Sequence, residues 1–314
     1  MSRDHVALLF PGQGAQYVGM GRDLAGHYSA ARAVFAAADE TLGFSISDLC
    51  FNGPEEQLIL TQITQPAITA VSLACWAVLA ESGVRPGVAA GLSLGEYSAL
   101  AVAGSFGFRT AVWLVHERGR LMQETVPVGE GTMGAILGLA PEEVDEICRL
   151  AQENGHVEPA NYNCPGQVVI AGHTEAVLAA GNLATARGAR FVPLDVSSPF
   201  HSSLLSPAGE KLAAILDQVE IKAPEIPVVA NVTGDYVTTG EDIRESLVRQ
   251  VSSPVRWEDS IRRMLADGYH TFIEVGPGRV LNGFLKRIAR TALCFNVYDL
   301  PSFEKTLAEL KGVS

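Results

Sequence analysis

Ser93 stands between Gly91 and Gly95 in the segment GVAAGLSLGEYSALAVAG, at the join of a short buried strand and an alanine-rich helix. A hydroxyl becomes a usable nucleophile when a tight strand-to-helix turn projects it from the top of a sheet, and such a turn needs residues without a Cβ on either side. The Gly-x-Ser-x-Gly spacing therefore suits a nucleophile elbow, with the following helix aiming N–H groups and a positive dipole end at the serine's surroundings. A Gly/Ser turn that only lets a helix pack closely on a strand has the same letters.

A nucleophilic serine needs a base, and seven histidines are available: His5, His27, His116, His156, His173, His201 and His270. His201 follows the strand-like ARFVPLDV and the turn Ser197-Ser198-Pro199-Phe200, a loop position at the mouth of a predicted cleft, where catalytic side chains sit. His270, at the start of HTFIEVG, is the second candidate, because the chain order Ser, acid, His of many hydrolases favours a late histidine.

The segment TAVWLVHERGRLMQ (110–123) carries the most informative charge. On a helix, Ala111, Val115, Arg118 and Met122 share one face, which sets Arg118 in the apolar stripe, whereas His116, Glu117, Arg120 and Glu124 share the wet face. A buried guanidinium cannot shed its charge and needs an anion. Either a carboxylate of the chain supplies it, or Arg118 is a bidentate clamp for a substrate carboxylate.

The loop PGQGAQ (11–16) fails as a dinucleotide fingerprint, because Tyr17 stands where the third glycine is required. It suits one wall of an oxyanion hole, which combines the amide after the nucleophile, here Leu94, with one from an early strand-helix loop. An ordinary strand-to-helix turn reads the same way. EVGPGR (274–279) lacks the Lys-Ser/Thr ending of a phosphate loop.

Positioning these residues takes a sizeable frame, and 314 residues at 47% hydrophobic and 18% charged can bury one. HVALLF, GVAAG and HTFIEVG are strand-like, each followed by helix-like sequence, near residue 18, after Ser93 and from Arg279 respectively. Such alternation predicts a parallel sheet covered by helices. Between them, GTMGAILG (131–138), a helix over 141–154, HVEPANYN, QVVIAG, a helix over 174–188 and ARFVPLDV (189–196) give the order β-α-β-β-α-β, the ferredoxin-like arrangement. The expectation is a discontinuous core, residues 1–125 and 199–314, with a small subdomain inserted at 126–198 and a ligand cleft where they meet.

Composition narrows the partners. The net charge of −12 opposes nonspecific binding to nucleic acid or to an anionic membrane. Cys50, Cys75, Cys148, Cys164 and Cys294 are odd in number and scattered, with no CxxC pair or local His cluster, so reduced thiols and no metal site are expected. The nearly apolar stretch Ala67 to Ala80 is shorter than the roughly 20 residues of a membrane span, and MSRDHVALLFPGQG has no export-signal pattern. A cytoplasmic location is expected.

FPGQGAQ, TQITQPAI, GLSLGEYSAL, HERGRLMQ, GTMGAILG, NYNCPGQVVIAG, VSSPFHS, PVRW and EVGPGRVL together resemble, in order and spacing, the malonyl-CoA:acyl carrier protein transacylases of fatty acid synthesis, from about residue 7 to about residue 285. The resemblance implies an α/β-hydrolase-like parallel-sheet core with an inserted ferredoxin-like subdomain. It makes Ser93 the nucleophile, His201 the base and Arg118 the partner of the malonyl carboxylate, with the backbone amides of Gln13 and Leu94 as oxyanion hole. The second imidazole nitrogen would be held by the backbone carbonyl of Gln250 instead of an acid. Asn161, Asn163 and Gln167 would line the acyl and pantetheine channel. The implied reaction is ping-pong malonyl transfer from malonyl-CoA to the phosphopantetheine thiol of an acyl carrier protein, with no cofactor and with a monomer sufficing. A trans-acting polyketide acyltransferase or a proofreading acyl hydrolase would share these motifs. Leu92 departs from the His that many members carry there, which makes the pocket drier beside the serine, and Phe200 would crowd an α-methyl group. Because carrier proteins are acidic and so is this chain, docking needs a local basic patch: Lys286, Arg287 and Arg290 in FLKRIAR, with Arg187 and Arg190 across the predicted cleft.

Overall fold

The computed structural model describes residues 6–127, 129–196 and 198–312; His5 and Ser197 lie outside them. Among the described residues ten strands are formed: β1 (Val6–Phe10), β2 (Val88–Gly91), β3 (Gly131–Leu137), β4 (Val157–Cys164), β5 (Gln167–His173), β6 (Arg190–Pro193), β7 (Val228–Val229), β8 (Tyr236–Val237), β9 (Thr271–Val275) and β10 (Leu293–Val297). Six make one sheet in the order β10-β9-β1-β2-β7-β8. Its neighbours run parallel, except for the antiparallel edge pair β7 and β8, which the sequence reading does not contain.

The other four strands form a second sheet in the order β4-β5-β3-β6, with every neighbouring pair antiparallel. Together with the helices Pro141–Ala151 and Thr174–Ala186 the chain order is β-α-β-β-α-β, as the sequence predicts. Side chains alternate across the pleat. Ile136, Val168 and Ile170 pack against those two helices, whereas Met133, Ala135, Val169 and Ala171 join the core of the first sheet. Burial on both faces explains why QVVIAG reads as an unbroken apolar run. A backbone tie fastens β4 to the segment before the helix Trp257–Ala266: Val255 donates to Ala160 at 2.8 Å and accepts from Tyr162 at 2.9 Å.

Two expectations need correction. The helix expected near residue 18 begins only at Arg22, because Gly19 (φ 105°) and Gly21 (φ 76°) hold left-handed backbone. The apolar stretch 67–80 is part of a helix of 21 residues, Thr61–Glu81, long and apolar enough to cross a membrane by length and composition. Its length therefore decides nothing. Most of its residues are buried inside the fold, many at 0% exposure.

The carboxyl ends of β1, β2, β7 and β9 lead into loops 11–16, 92–94, 230–234 and 276–279, which gather at one edge of the parallel sheet, where ligand sites of such folds form. Close backbone packing holds them there. A Cβ at Gly91 would overlap the Gly95 carbonyl and the Glu96 amide, and one at Gly95 would overlap the Phe10 carbonyl. At Gly12 it would stand 2.8 Å from the Leu92 oxygen. Since Gly95 faces rigid backbone, Gly95→Ala is expected to lower stability by about 1–3 kcal/mol, read as an earlier urea midpoint with an unchanged slope.

Candidate active site

Ser93 follows β2 and precedes the helix Gly95–Val102. Its backbone is left-handed, φ 55°, a conformation that costs a non-glycine residue free energy and persists only where neighbours hold it. Asn231, in the loop after β7, does so from both sides: its Oδ1 accepts the Ser93 N–H at 2.6 Å, and its Nδ2 donates to the Gly91 carbonyl at 2.7 Å. The half-buried Ser93 hydroxyl thereby points away from the turn.

His201 also has left-handed backbone, φ 59°, in the loop that returns from β6. Its Nε2 lies 2.8 Å from Ser93 Oγ, and its Nδ1 lies 2.8 Å from the Gln250 backbone oxygen. A carbonyl can only accept, so Nδ1 carries the proton and Nε2 is the free base facing the hydroxyl. Burial, with the nearby Arg118 charge as second cause, pushes the imidazole down to about 3. The base is therefore neutral at ordinary pH. His270 is exposed at the amino end of β9, the opposite edge of the parallel sheet from Ser93.

Arg118 lies on the helix Phe108–Thr125 and is 2% exposed, as the apolar stripe predicts. Among the described residues no carboxylate is within ion-pair distance of it. Its Nη1 donates to Gln65 Oε1 at 2.7 Å, and its Nη2 donates to Ser93 Oγ and to Gln250 Oε1, both at 3.0 Å. The Tyr97 ring centroid is 5.8 Å from the guanidinium carbon. Burial lowers its pKa, opposed by the charge of Glu96. A cation held by neutral oxygens beside a nucleophile is a ready partner for an incoming carboxylate.

The Gln13 and Leu94 backbone N–H groups donate to no acceptor among the described residues, and the Gln13 side chain reaches Thr61 Oγ1 at 3.5 Å. Asn161 and Asn163 are buried on β4. Gln167 Oε1 accepts from Arg287 Nη1 at 2.9 Å. None of these three is within hydrogen-bonding distance of Ser93, His201 or Arg118 among the described residues. Phe200 is buried in the main core beside His201. Leu92 packs with the cluster behind the sheet.

Three residues at the site were not singled out from the sequence. Gln65 and Asn231 touch Arg118 and Ser93 directly. Glu96, 1% exposed, accepts from the Gln250 Nε2 at 2.7 Å and the Asn231 N–H at 2.9 Å. Burial raises its carboxyl to about 7 against those hydrogen bonds and the Arg118 charge. The Gln250 side chain adds a bond from Nε2 to the Ser93 carbonyl at 3.1 Å. A glutamine and an asparagine within otherwise apolar runs, ITQPAI and VVANVT, were the available signals. Glu96 reads as an ordinary acidic residue in a first helical turn.

The family model described as acyl transferase domain matches residues 7–300. The malonyl CoA-acyl carrier protein transacylase of Bacillus subtilis is 46% identical over 308 residues, 98% of this chain and 97% of the relative. That of Escherichia coli strain K12 is 47% identical over 306 residues, 97% and 99% of the two chains. Among solved structures, the malonyl CoA-acyl carrier protein transacylase from Clostridium perfringens superposes with a TM-score of 0.95 at 44% identity, covering 98% of each chain. A malonyl-transacylase in complex with its type II PKS acyl-carrier protein superposes with a TM-score of 0.95 at 45% identity, covering 97% of this chain and 99% of that one.

The depressed His201 pKa sets a pH signature. Phosphonylation of Ser93 by a small neutral fluorophosphonate should slow less than about threefold from pH 7 to pH 5, where a histidine of ordinary pKa would lose about 25-fold of its free base. The unfolded chain takes a proton on His201 near pH 6.5 and the folded chain only near 3. This group therefore removes stability as pH falls through that window.

Proposed function

Since the chain belongs to the acyl transferase domain family, with malonyl CoA-acyl carrier protein transacylases as its relatives, we infer that it transfers a malonyl group from malonyl-CoA to the phosphopantetheine thiol of an acyl carrier protein. The observation that carries the reading is the position of Arg118: a buried cation with no carboxylate within ion-pair distance among the described residues, its Nη2 3.0 Å from Ser93 Oγ. An acyl group bearing its own carboxylate supplies the missing charge as its thioester meets the serine.

His201 Nε2 takes the Ser93 proton as Oγ attacks the thioester carbonyl, and the oxyanion forms against the Gln13 and Leu94 amides. Loss of one such donor typically costs about 10²- to 10³-fold in rate. The imidazolium returns the proton to the departing CoA sulfur, leaving a malonyl-serine ester. The carrier protein's thiol then gives its proton to His201, attacks the ester carbonyl and leaves as the malonyl thioester while Ser93 regains a proton, a ping-pong cycle. No step calls on a cofactor. Acetyl-CoA leaves the guanidinium unmatched in a buried site, which disfavours it more than loss of one contact would. Phe200 would crowd an α-methyl group.

Asn161, Asn163 and Gln167 are taken as the channel for the acyl and pantetheine chain, between the core (1–125 and 199–314) and the inserted subdomain (126–198). One chain supplies every group used, so a monomer suffices, and five unpaired cysteines suit the cytoplasm. The products are extender units for fatty acid synthesis. For carrier docking, Lys286, Arg287 and Arg290 are exposed at the end of the helix Val280–Ile288. Arg190 pairs in register with Leu137, next to Gly138, whose N–H meets the Gly166 carbonyl. Arg287 holds the adjacent Pro165 carbonyl at 3.1 Å, so the two cations share one end of the second sheet. Arg187 contributes less, being paired with Glu146 at 2.7 Å.

Brief mixing with malonyl-CoA should add one malonyl mass to the wild type and none to Ser93→Ala. Arg118→Ala should lose about 10²- to 10³-fold of malonyl transfer and far less of acetyl transfer; equal losses would remove the clamp. Lys286→Glu with Arg290→Glu, which spares the bonds of Arg287, should raise the KM for the carrier protein about tenfold and leave that for malonyl-CoA unchanged.

A further inference from the structure

Glu96 takes no part in the acyl-transfer steps, yet it is bound to both residues that hold the reacting groups. Its Oε2 accepts from Gln250 Nε2 and from the Asn231 N–H. Gln250 accepts from Arg118 through Oε1 and fixes His201 through its backbone carbonyl; Asn231 clasps the Ser93 turn. The other groups facing Glu96 are Ser246 from the helix Gly240–Gln250 and the Arg118 charge from the helix Phe108–Thr125. A carboxylate placed directly on Arg118 would occupy the N–H groups that a substrate carboxylate needs. No carboxylate at all would leave the buried cation without a countercharge. Glu96, one amide away, avoids both.

We propose that Glu96 is the positioning residue for Arg118: through the Gln250 amide it holds the guanidinium in place for a carboxylated acyl group and supplies a partial countercharge that tempers its grip on one. The proposal rests on the malonyl-transfer reading above. Glu96→Gln keeps the shape and an oxygen for both N–H donors but removes the charge, so the malonyl carboxylate becomes the cation's only counterion. The KM for malonyl-CoA should then fall on the order of tenfold, with that for acetyl-CoA unchanged. Glu96→Ala removes the acceptor as well, freeing the Gln250 amide, and should lower the malonyl-to-acetyl ratio of kcat/KM about tenfold or more.

The experiment measures both substrates on wild type and both variants at about pH 8, where Glu96 is ionised, with thermal melts to show folding. A second measurement needs no variant: in the wild type, the malonyl KM should rise several-fold relative to the acetyl KM between about pH 6 and about pH 8, as Glu96 loses its proton. A wild type that is acylated normally, but whose KM ratio is flat across that range and within twofold of that of Glu96→Gln, overturns the role of Glu96 and leaves malonyl transfer standing. A wild type that takes no malonyl group overturns both.

Discussion

Left-handed backbone at a serine costs about 1–3 kcal/mol and exists only where the surroundings outweigh it. Ser93 is held so by three constraints that converge on the end of β2. Gly91 and Gly95 let backbone meet backbone where any Cβ would collide. Asn231 ties the Ser93 amide to the Gly91 carbonyl. Gln250 ties the Ser93 carbonyl to its own side chain. The hydroxyl's direction is thus set by groups arriving from three separate parts of the chain, and the helix Gly95–Val102 begins where it must.

The second condition is electrostatic. Arg118 and His201 are both deeply buried, at 2% and 3% exposure, and burial disfavours charge on each. The arginine stays charged because deprotonating a guanidinium is harder still, and that charge helps keep the histidine neutral. Neutral amide oxygens of Gln65 and Gln250 hold the cation without cancelling it. The same arrangement supplies a base oriented by backbone groups of Gln250 and Ser253 and, among the described residues, by no carboxylate.

The second sheet is held in place by backbone bonds from β4 to Val255 and by a shared core, one of its faces packing with the first sheet. An acidic chain can still meet an acidic partner where cations cluster locally, because screening limits the reach of its other charges to roughly 10 Å. Lys286, Arg287, Arg290 and Arg190 are exposed, and Arg287 reaches across to Gln167 and the Pro165 carbonyl, whereas Arg187 is already committed to Glu146.

Much of this was legible in local pattern. The apolar runs marked the principal strands, the Gly-x-Ser-x-Gly spacing marked the turn, and the helical period turned Arg118 inward; each is a property of residues a few positions apart. The extent of the helix Thr61–Glu81 and the start of the helix at Arg22 were misjudged because tertiary burial and left-handed glycines decide them. Gln65, Glu96 and Asn231 escaped notice because their partners are remote: Gln65 meets Arg118 across 53 positions, Asn231 meets Ser93 across 138, and Gln250 meets Glu96 across 154. By itself the sequence determined which side chains could react and which elements would carry them. Only the tertiary structure decided that Arg118 would be held by amides and faced by Glu96 at one remove, since hydrogen bonds and burial depend on distances that the chain acquires when its sheets close together.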